Sequence, residues 1–545
     1  MKQFFKSFLI SRGQLGISLV IGLVWTFAFA PFELAGVGWV LPALMVSFVP
    51  LSSFRRAFFY GGLIGGVHCL SSLYWLLNIP FPPGAVAGWL ALSLYLAIYP
   101  GLWCAWMSWL MPPTPERGPG TLGSTFVTIA GSPASQRMKW GFAGASGWVL
   151  LEYAQAYCLT GFPWNFLGVS QFEMKPLIQI ASITGVYGVS FLVVWISLGL
   201  VSAVGDIYSK AGTAWVWIRS LIMPGSVFFL CWFWGVTQLT GQKKPDRTLD
   251  IALIQPSIEQ TLLWDSGAAS QTFEVVLELT KEALARDPDV VVFPEGNYFS
   301  VPADRVRELT VLFADSPTYV ILNGIDRVQS AEGERLYNAA FLLDGMEHTL
   351  GDYAKRHLVL FGETIPFAGL FPWLKKLIPV GDGFAAGDEP STFPLARLDA
   401  ATSPLICFED LFPHEVRSYA GPDIDFLVNL TNDGWFGESA AQRQHFVNAA
   451  FRAIENGLPL VRATNNGVTG VVDERGFART LEEGPERDRH DAGVFLVKLR
   501  LPSSRQQTWY SRKGDWFFFP MVFGCLFFGF SGRQRSVIDG SGREV

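Results

Sequence analysis

The chain has few charged residues, few cysteines and no excess of positive charge. Asp, Glu, Lys and Arg make up only 16% of its 545 residues, against about a quarter in soluble proteins, which argues against a plain cytosolic enzyme. Six cysteines are too few for a disulfide scaffold. A net charge of −6 gives no support to nucleic acid as a partner. Instead, 50% of the residues are hydrophobic, with 20 Trp and 45 Phe, which is typical of proteins at lipid interfaces.

Long uncharged runs indicate membrane spans. A helix needs about 20 apolar residues to cross a bilayer, and eight runs approach that length, at 14–32, 34–51, 57–79, 85–111, 140–160, 177–204, 215–239 and 516–531. Glu152 interrupts the fifth run, and its role is left unassigned. The first run also fits a cleaved signal peptide, but further spans follow it, so we favour an uncleaved helix. The sequence therefore predicts a polytopic α-helical membrane domain with eight spans.

Lys and Arg cluster in alternate loops between these runs. Short loops that hold Lys and Arg stay in the cytoplasm. Clusters precede the first run and follow the second, fourth, sixth and eighth, whereas the intervening short loops hold almost no cations, with Lys175 the main exception. This pattern supports the count of spans, and it puts the segment after the seventh run outside the cytoplasm.

Composition changes between residues 246 and 510, where charges become frequent. Short β-branched runs predict strands at 250–255, 289–293, 319–323, 340–344, 404–408, 425–430, 461–464, 468–473 and 494–499. Helices are predicted at 271–286, 305–314 and 440–456. Such a mixture predicts a layered α/β domain. We therefore expect a seven-helix transmembrane domain, an extracytoplasmic catalytic domain, and a final transmembrane helix with a cytoplasmic tail, at 1–245, 246–510 and 511–545.

Cys407 is the lone cysteine of the 246–510 domain, so no disulfide can form inside that domain. It closes the strand-like run Pro404-Leu-Ile-Cys-Phe-Glu-Asp410. A buried inert thiol is one interpretation. The other is a nucleophile, because a lone thiol on the oxidising side of a membrane is exposed to damage. A thiol nucleophile needs a base or a cation nearby. No histidine stands out, although a Cys–His pair remains an alternative.

Two further motifs hold acids and a cation. Glu295 follows the apolar run Val290-Val-Val-Phe-Pro, where a solvated turn is the alternative to a catalytic base. Lys355 and Glu363 lie in Tyr353-Ala-Lys-Arg-His-Leu-Val-Leu-Phe-Gly-Glu, where a surface lysine is the alternative to an active-site cation. Each signal is weak alone. Together with Ile-Cys-Phe-Glu, the motifs Phe-Pro-Glu-Gly and Lys-x-His-Leu-x-x-Phe-Gly-Glu resemble those of the nitrilase superfamily.

Further motifs narrow the resemblance. The chain contains three more motifs that carry it: Trp264-Asp, the stretch Leu430-Thr-Asn-Asp-Gly-Trp-Phe-Gly437, and the long segment from Arg452 to Gly467. With spans on either side, the whole chain resembles the apolipoprotein N-acyltransferase family, the membrane-embedded branch of that superfamily. The resemblance implies a nitrilase-like αββα sandwich with a catalytic Glu–Lys–Cys triad, formed here by Glu295, Lys355 and Cys407. It also implies supporting roles for Glu363, Glu409, Trp264 and Phe408.

The resemblance implies a reaction as well. These enzymes transfer a fatty acyl chain from a phospholipid of the phosphatidylethanolamine type to a lipoprotein in the last step of its maturation. The acyl chain passes through a cysteine thioester, by a ping-pong mechanism, to the α-amino group of an N-terminal diacylglyceryl-cysteine. The implied partners are these two lipid substrates. The implied location is the bacterial inner membrane, with a monomer whose catalytic domain is periplasmic. Neither a metal cluster nor a nucleotide loop is visible in the sequence, so no cofactor or metal is expected.

Phe408 departs from the family, which commonly has Tyr after the nucleophile, so the sequence lacks a hydroxyl there. Two other functions compete with acyl transfer. An amidase or nitrilase anchored by helices would hydrolyse small amides or nitriles, but seven preceding spans are excessive for an anchor. A transporter or receptor with an inactive exported domain would not depend on Cys407, and the intact triad argues against it.

Overall fold

A computed structural model gives the fold of the protein. It describes residues 12–111, 124–209, 215–241, 247–265, 267–296, 303–314, 316–330, 333–345, 348–365, 383–481, 490–502 and 505–531. The chain divides into two compact units. The first takes its described residues from 1–76, 86–240 and 515–545, and the second from 77–85 and 241–514. The sequence did not indicate that the short segment 77–85 belongs with the second unit.

The first unit is helical. Its helices are α1 (Arg12–Thr26), α2 (Ala35–Phe48), α3 (Phe54–Ser72), α4 (Pro82–Leu110), α5 (Ser124–Ala130), α6 (Ala134–Tyr157), α7 (Lys175–Ile178), α8 (Ala181–Thr184), α9 (Val186–Tyr208), α10 (Trp215–Thr240) and the last helix, Phe518–Ser531. Among the described residues, three helices are long and apolar enough to cross a membrane, at Pro82–Leu110, Val186–Tyr208 and Trp217–Thr240. Two more apolar helices, at Ala35–Phe48 and Phe518–Gly529, are shorter. A helix lies in every predicted run, but within the described ranges only three of these helices meet the criteria of length and composition, so the prediction of eight spans is not confirmed.

Glu152 has a structural role within the first unit. Its side chain is buried on α6, and Oε1 accepts hydrogen bonds from Trp148 Nε1 and from the backbone N–H of Leu167, each at 2.9 Å. A buried acid among apolar helices is costly unless it is hydrogen-bonded. Glu152 therefore fixes the 3-10 turn Leu167–Gln171 against α6.

The second unit contains two six-stranded sheets, in the strand orders β12-β1-β2-β3-β4-β5 and β11-β10-β9-β8-β7-β6. The strands are β1 (Arg247–Gln255), β2 (Val290–Val292), β3 (Tyr319–Ser330), β4 (Gly333–Asp344), β5 (His348–Ala354), β6 (Phe393–Leu395), β7 (Ala400–Ile406), β8 (Phe426–Thr431), β9 (Leu460–Thr464), β10 (Gly470–Val472), β11 (Ala478–Thr480) and β12 (Gly493–Leu501). Strands β1, β2 and β3 are parallel in register, and so are β7, β8 and β9. Across the two sheets, β1 contacts β9 and β4 contacts β7.

Helices pack against both sheets of this pair. The helices of the second unit are α11 (Gln260–Trp264), α12 (Ala269–Leu284), α13 (Ala303–Phe313), α14 (Pro413–Tyr419), α15 (Ala441–Asn456) and α16 (Trp509–Lys513). Apolar side chains of α12 and α13, such as Phe273 and Leu309, share one buried core with Ile254 and Val291 of the first sheet. Helix α15 contacts β9 of the second sheet. The predicted layered α/β domain is therefore present, with the layer order helix, sheet, sheet, helix.

Apolar strands were easier to predict than the edges of the sheets. All nine predicted strands and all three predicted helices are present, with shifted ends. Three strands were missed, β5, β6 and β11. Strand β5 is mostly exposed and reads His-Thr-Leu-Gly-Asp-Tyr-Ala, without apolar alternation. The predicted strand 404–408 was too long, because β7 ends at Ile406 and Cys407 begins a 3-10 turn.

Candidate active site

Cys407 lies at a sharp turn directly after a buried parallel strand. The turn Cys407–Leu411 follows β7, and Cys407 itself has φ +56°, in the left-handed region that non-glycine residues rarely adopt. Its carbonyl oxygen accepts a hydrogen bond from Asn429 Nδ2 of β8 at 2.8 Å. The neighbouring parallel strand therefore holds the cysteine in a conformation that costs free energy.

Glu295, Lys355 and Cys407 converge on one site, although 112 residues of sequence separate the first from the last. The Cys407 thiol lies close enough to the Glu295 carboxylate for the two groups to interact electrostatically. Lys355 follows β5, and its Nζ lies 3.7 Å from Glu295 Oε1 and 2.9 Å from Glu363 Oε1. Asn338 Nδ2 donates to both carboxylates, at 2.9 and 2.8 Å. Lys355 is therefore not a surface lysine, since its side chain is only 1% exposed.

Burial and neighbouring charges have opposing effects on the pKa values of Glu295, Lys355 and Cys407. Burial raises the pKa of Glu295, and the Glu363 charge raises it further, while the Lys355 ammonium lowers it. For Lys355, burial disfavours the charged form, but Glu363 and Glu295 outweigh burial and raise the pKa. Burial and the Glu295 charge raise the pKa of the Cys407 thiol. The resting site therefore holds a thiol beside a carboxylate base of raised proton affinity and a permanent cation.

The buried Glu409 side chain links the turn Cys407–Leu411 to the end of β5, beside Lys355. Its Oε2 accepts from the backbone N–H of Ile406 at 2.7 Å. Its Oε1 accepts from Tyr353 Oη at 2.7 Å and from the backbone N–H groups of Arg356 and His357 at 2.8 and 3.1 Å. Because these donors flank Cys407 on one side and Lys355 on the other, Glu409 positions both residues without being placed to react.

Glu409→Ala should therefore destabilise the second unit strongly. It would remove the acceptor of four donors inside the domain, and each buried donor left unsatisfied typically costs about 1–3 kcal/mol. We expect a lower unfolding temperature, measured by scanning calorimetry of the detergent-solubilised protein. Glu474→Ala is the matched control, because that side chain is 42% exposed. Equal unfolding temperatures for the two variants would contradict the conclusion that the hydrogen bonds of Glu409 stabilise the second unit.

The other two supporting residues are placed by aromatic contacts. Phe408 packs edge-to-face against His357 and Phe412, with centroid distances of 5.3 Å each. Ring packing therefore persists although the tyrosine hydroxyl is lacking. Trp264 ends α11, is 55% exposed, and contacts the Trp435 ring edge-to-face at 5.0 Å. The structure thus pairs Trp264 with a second tryptophan of the Asn-Asp-Gly-Trp-Phe-Gly motif.

Several residues of the site were missed in the sequence. Asn338, Asn429 and Tyr353 hold the triad or its supports, yet a polar residue in a strand does not by itself indicate such a role. A polar side chain in an otherwise apolar strand, as at Asn429 in Phe-Leu-Val-Asn-Leu-Thr, was the available signal.

Comparison with known proteins adds to this geometry. A family model described as the apolipoprotein N-acyltransferase N-terminal domain matches residues 21–199, and one described as carbon-nitrogen hydrolase matches residues 250–483. An apolipoprotein N-acyltransferase from Geobacter metallireducens is 30% identical over 531 residues, which cover 95% of this chain and 94% of that protein. The chain belongs to the apolipoprotein N-acyltransferase family. The predicted family and the predicted acyltransferase activity are thereby confirmed.

Other members of the apolipoprotein N-acyltransferase family match over similar lengths. The protein of that name from Shewanella oneidensis is 29% identical, over 96% of this chain and 97% of its own. That from Vibrio vulnificus is 29% identical, over 91% and 92%. Among solved structures, an amidase from Nesterenkonia sp. covers 48% of this chain and 94% of its own, at 17% identity and a TM-score of 0.34.

The Glu295 side chain is 13% exposed, and in an enzyme of this family it would suit a general base, because its proton affinity is raised towards that of a thiol or an amine. Glu295→Gln should therefore lower the rate of enzyme acylation by about 10²–10⁴-fold. Rapid-quench measurement of the acylated protein tests this loss. An acylation rate equal to the wild-type rate would exclude Glu295 as the base.

The same variant should not lose stability. Because the folded-state pKa of Glu295 lies above its unfolded value, the folded state binds this proton more tightly. The free energy of unfolding therefore falls as pH rises through the window between the two values. Glu295→Gln removes that slope, so we expect an equal or higher unfolding temperature at neutral pH. A large drop would mean that its loss of activity reports misfolding.

Proposed function

We propose that this enzyme transfers a fatty acyl chain from a phosphatidylethanolamine-type phospholipid to the α-amino group of the diacylglyceryl-cysteine at a lipoprotein's amino terminus. The observation that carries the proposal is the convergence of Glu295, Lys355 and Cys407 in a chain that matches the family over 95% of its length. We assign the catalytic roles to these three residues, with Glu363 and Glu409 as supports.

In the first half-reaction, Glu295 takes the thiol proton and the Cys407 sulfur attacks the ester carbonyl of the phospholipid. The carbonyl oxygen becomes an oxyanion, which the buried ammonium of Lys355 stabilises. The intermediate collapses when the bond to the glycerol oxygen breaks. Glu295 returns its proton to that oxygen, and the lysophospholipid leaves. The acyl chain is then held as a thioester on Cys407.

In the second half-reaction, the α-amino group of the lipoprotein attacks the thioester carbonyl. Glu295 takes a proton from the amine, and Lys355 again stabilises the oxyanion. The carbon–sulfur bond breaks, an amide forms, and the leaving sulfur recovers its proton from Glu295. A thioester acylates amines far more readily than an oxygen ester, which is the chemical reason for a cysteine nucleophile here.

We further propose that the protein is a monomer of the bacterial inner membrane with eight spans and a periplasmic catalytic domain at 246–510. A helix in each of the eight apolar runs supports the spans. The alternation of Lys and Arg between loops supports the orientation. The acyl chains of both substrates lie in the bilayer, so such an enzyme need not extract either substrate fully.

Acylation of the purified protein tests the proposal. Vesicles that contain phosphatidylethanolamine with a labelled acyl chain should give a covalent, hydroxylamine-sensitive adduct on the Cys407 peptide, detected by mass spectrometry. A diacylglyceryl-cysteine peptide added afterwards should remove the label and gain it as an amide. Release of the label as free fatty acid, with the acceptor peptide left unlabelled, would instead indicate a hydrolase and overturn the proposal.

A further inference from the structure

A buried group of four charged side chains lies behind the cysteine turn. Its members, here called the aspartate cluster, are Asp410, Asp433, His445 and Arg462, whose side chains are at most 2% exposed. His445 lies on α15, Arg462 on β9, Asp433 in the turn after β8 and Asp410 in the turn after β7. The cluster therefore joins α15 and β9 to the two turns that follow the parallel strands β7 and β8.

His445 bridges the two aspartates. Its Nδ1 lies 2.7 Å from Asp433 Oδ1, and its Nε2 lies 2.9 Å from Asp410 Oδ1. Two carboxylate acceptors require two N–H donors, and imidazole has two only when it is positively charged. Arg462 pairs with the other oxygen of Asp410, and its NH2 lies 3.9 Å from Asp433 Oδ2. Two negative and two positive groups thus give the cluster a net charge of zero.

The net charge of the aspartate cluster affects how readily the Cys407 thiol loses its proton. Asp410 lies three residues after Cys407 in the same turn, and the Asp433 charge raises the pKa of the Cys407 thiol. Arg462 also interacts electrostatically with the sulfur, and burial lowers the pKa of its guanidinium to about 9, so it stays charged at neutral pH. A neutral His445 would leave one uncompensated negative charge behind the sulfur, where a thiolate and then an oxyanion must form.

We propose that His445 is a positioning residue for Cys407, whose imidazolium neutralises Asp410 and Asp433 and so permits negative charge to form at the sulfur. This inference rests on the proposed role of Cys407 as the nucleophile. The other charged groups that interact electrostatically with the sulfur are Glu295, which comes after β2, and Lys355, which comes after β5. Helix α15 adds the buried pair Arg452 and Glu455, which lie 2.8 Å apart and neutralise each other.

Four proteins separate charge from structure: wild type, His445→Gln, Asp433→Asn and the double variant. Their clusters carry formal charges of 0, −1, +1 and 0. The measurement is the pH dependence of Cys407 alkylation by iodoacetamide, quantified on its peptide by mass spectrometry. The midpoint of the profile should rise by about one pH unit in His445→Gln and fall by about one in Asp433→Asn. It should return close to the wild-type midpoint in the double variant.

Cys158 provides an internal control, because it is exposed and lies in the other unit, so its profile should coincide in all four proteins. If His445→Gln fails to fold, the midpoints of Asp433→Asn and of the double variant still decide the matter. Unchanged midpoints together with lowered unfolding temperatures would show a merely structural cluster and overturn the inference. Alkylation needs no acyl transfer, so a wild type without a lipid adduct would refute the proposed function and leave this test readable.

Discussion

Cys407→Ala should abolish the acyl adduct and lower the rate of amide formation by at least about 10⁴-fold, because loss of a nucleophile removes the covalent route altogether. The fold should survive, since the side chain is small and its backbone is held through Asn429. The measurement is transfer of labelled acyl chain from phosphatidylethanolamine vesicles to a diacylglyceryl-cysteine peptide. Cys158→Ala, a change of the same type at an exposed cysteine, should retain full activity.

Cys407→Ser sharpens this result by changing only the attacking atom. A hydroxyl is far harder to deprotonate than a thiol, so Glu295 should activate it poorly and acylation should be slow. Any adduct that forms would be an oxygen ester, which reacts sluggishly with amines and should accumulate without discharging to the peptide. If Ser or Ala at this position supports transfer at the wild-type rate, the acyl chain does not pass through residue 407.

The fold followed from the sequence wherever burial leaves a regular pattern. Strands such as β1 and β8 lie inside the sheets and consist largely of apolar residues, so their positions were readable. Strand β5 was not, because an edge strand meets solvent and needs no apolar alternation. The end of β7 was predicted two residues too late for another reason. The turn at Cys407 is held by hydrogen bonds to other strands, from Tyr353 of β5 to Glu409 and from Asn429 of β8 to the Cys407 carbonyl.

The sequence indicated the reactive residues and two of their supports, Glu363 and Glu409, but not the other polar residues around them. Glu295, Lys355 and Cys407 stand in motifs that resemble a known superfamily, so their meeting could be expected before the structure. The aspartate cluster gave no such signal. Asp410 and Arg462 are 52 residues apart, and His445 and Asp433 are 12 apart. Charged side chains at such spacings are ordinarily solvated, and only packing of the helices on the sheets shows that these are buried.

Lys355→Met should also have a large effect, a loss of about 10³-fold or more in the rate of enzyme acylation. Removing one preorganised donor to an oxyanion typically costs 10²–10³-fold. Here the base is impaired as well, because the Lys355 charge lowers the pKa of Glu295 while the Glu363 charge raises it. Without the ammonium, two buried carboxylates share Asn338, and one of them should hold a proton at neutral pH.

The pH profile distinguishes this mechanism from simple misfolding. Since the pKa of Glu295 rises further when the ammonium is removed, the residual acylation of Lys355→Met should increase over a more alkaline range than in the wild type. Lys355→Arg keeps the charge but not the compact ammonium, so its profile should return towards the wild-type range while its rate stays low. Lys281→Met, at a side chain that is 47% exposed, should leave both rate and profile unchanged. Wild-type acylation in Lys355→Met would remove the lysine from the reaction, and an unshifted profile would separate its charge from the protonation of Glu295.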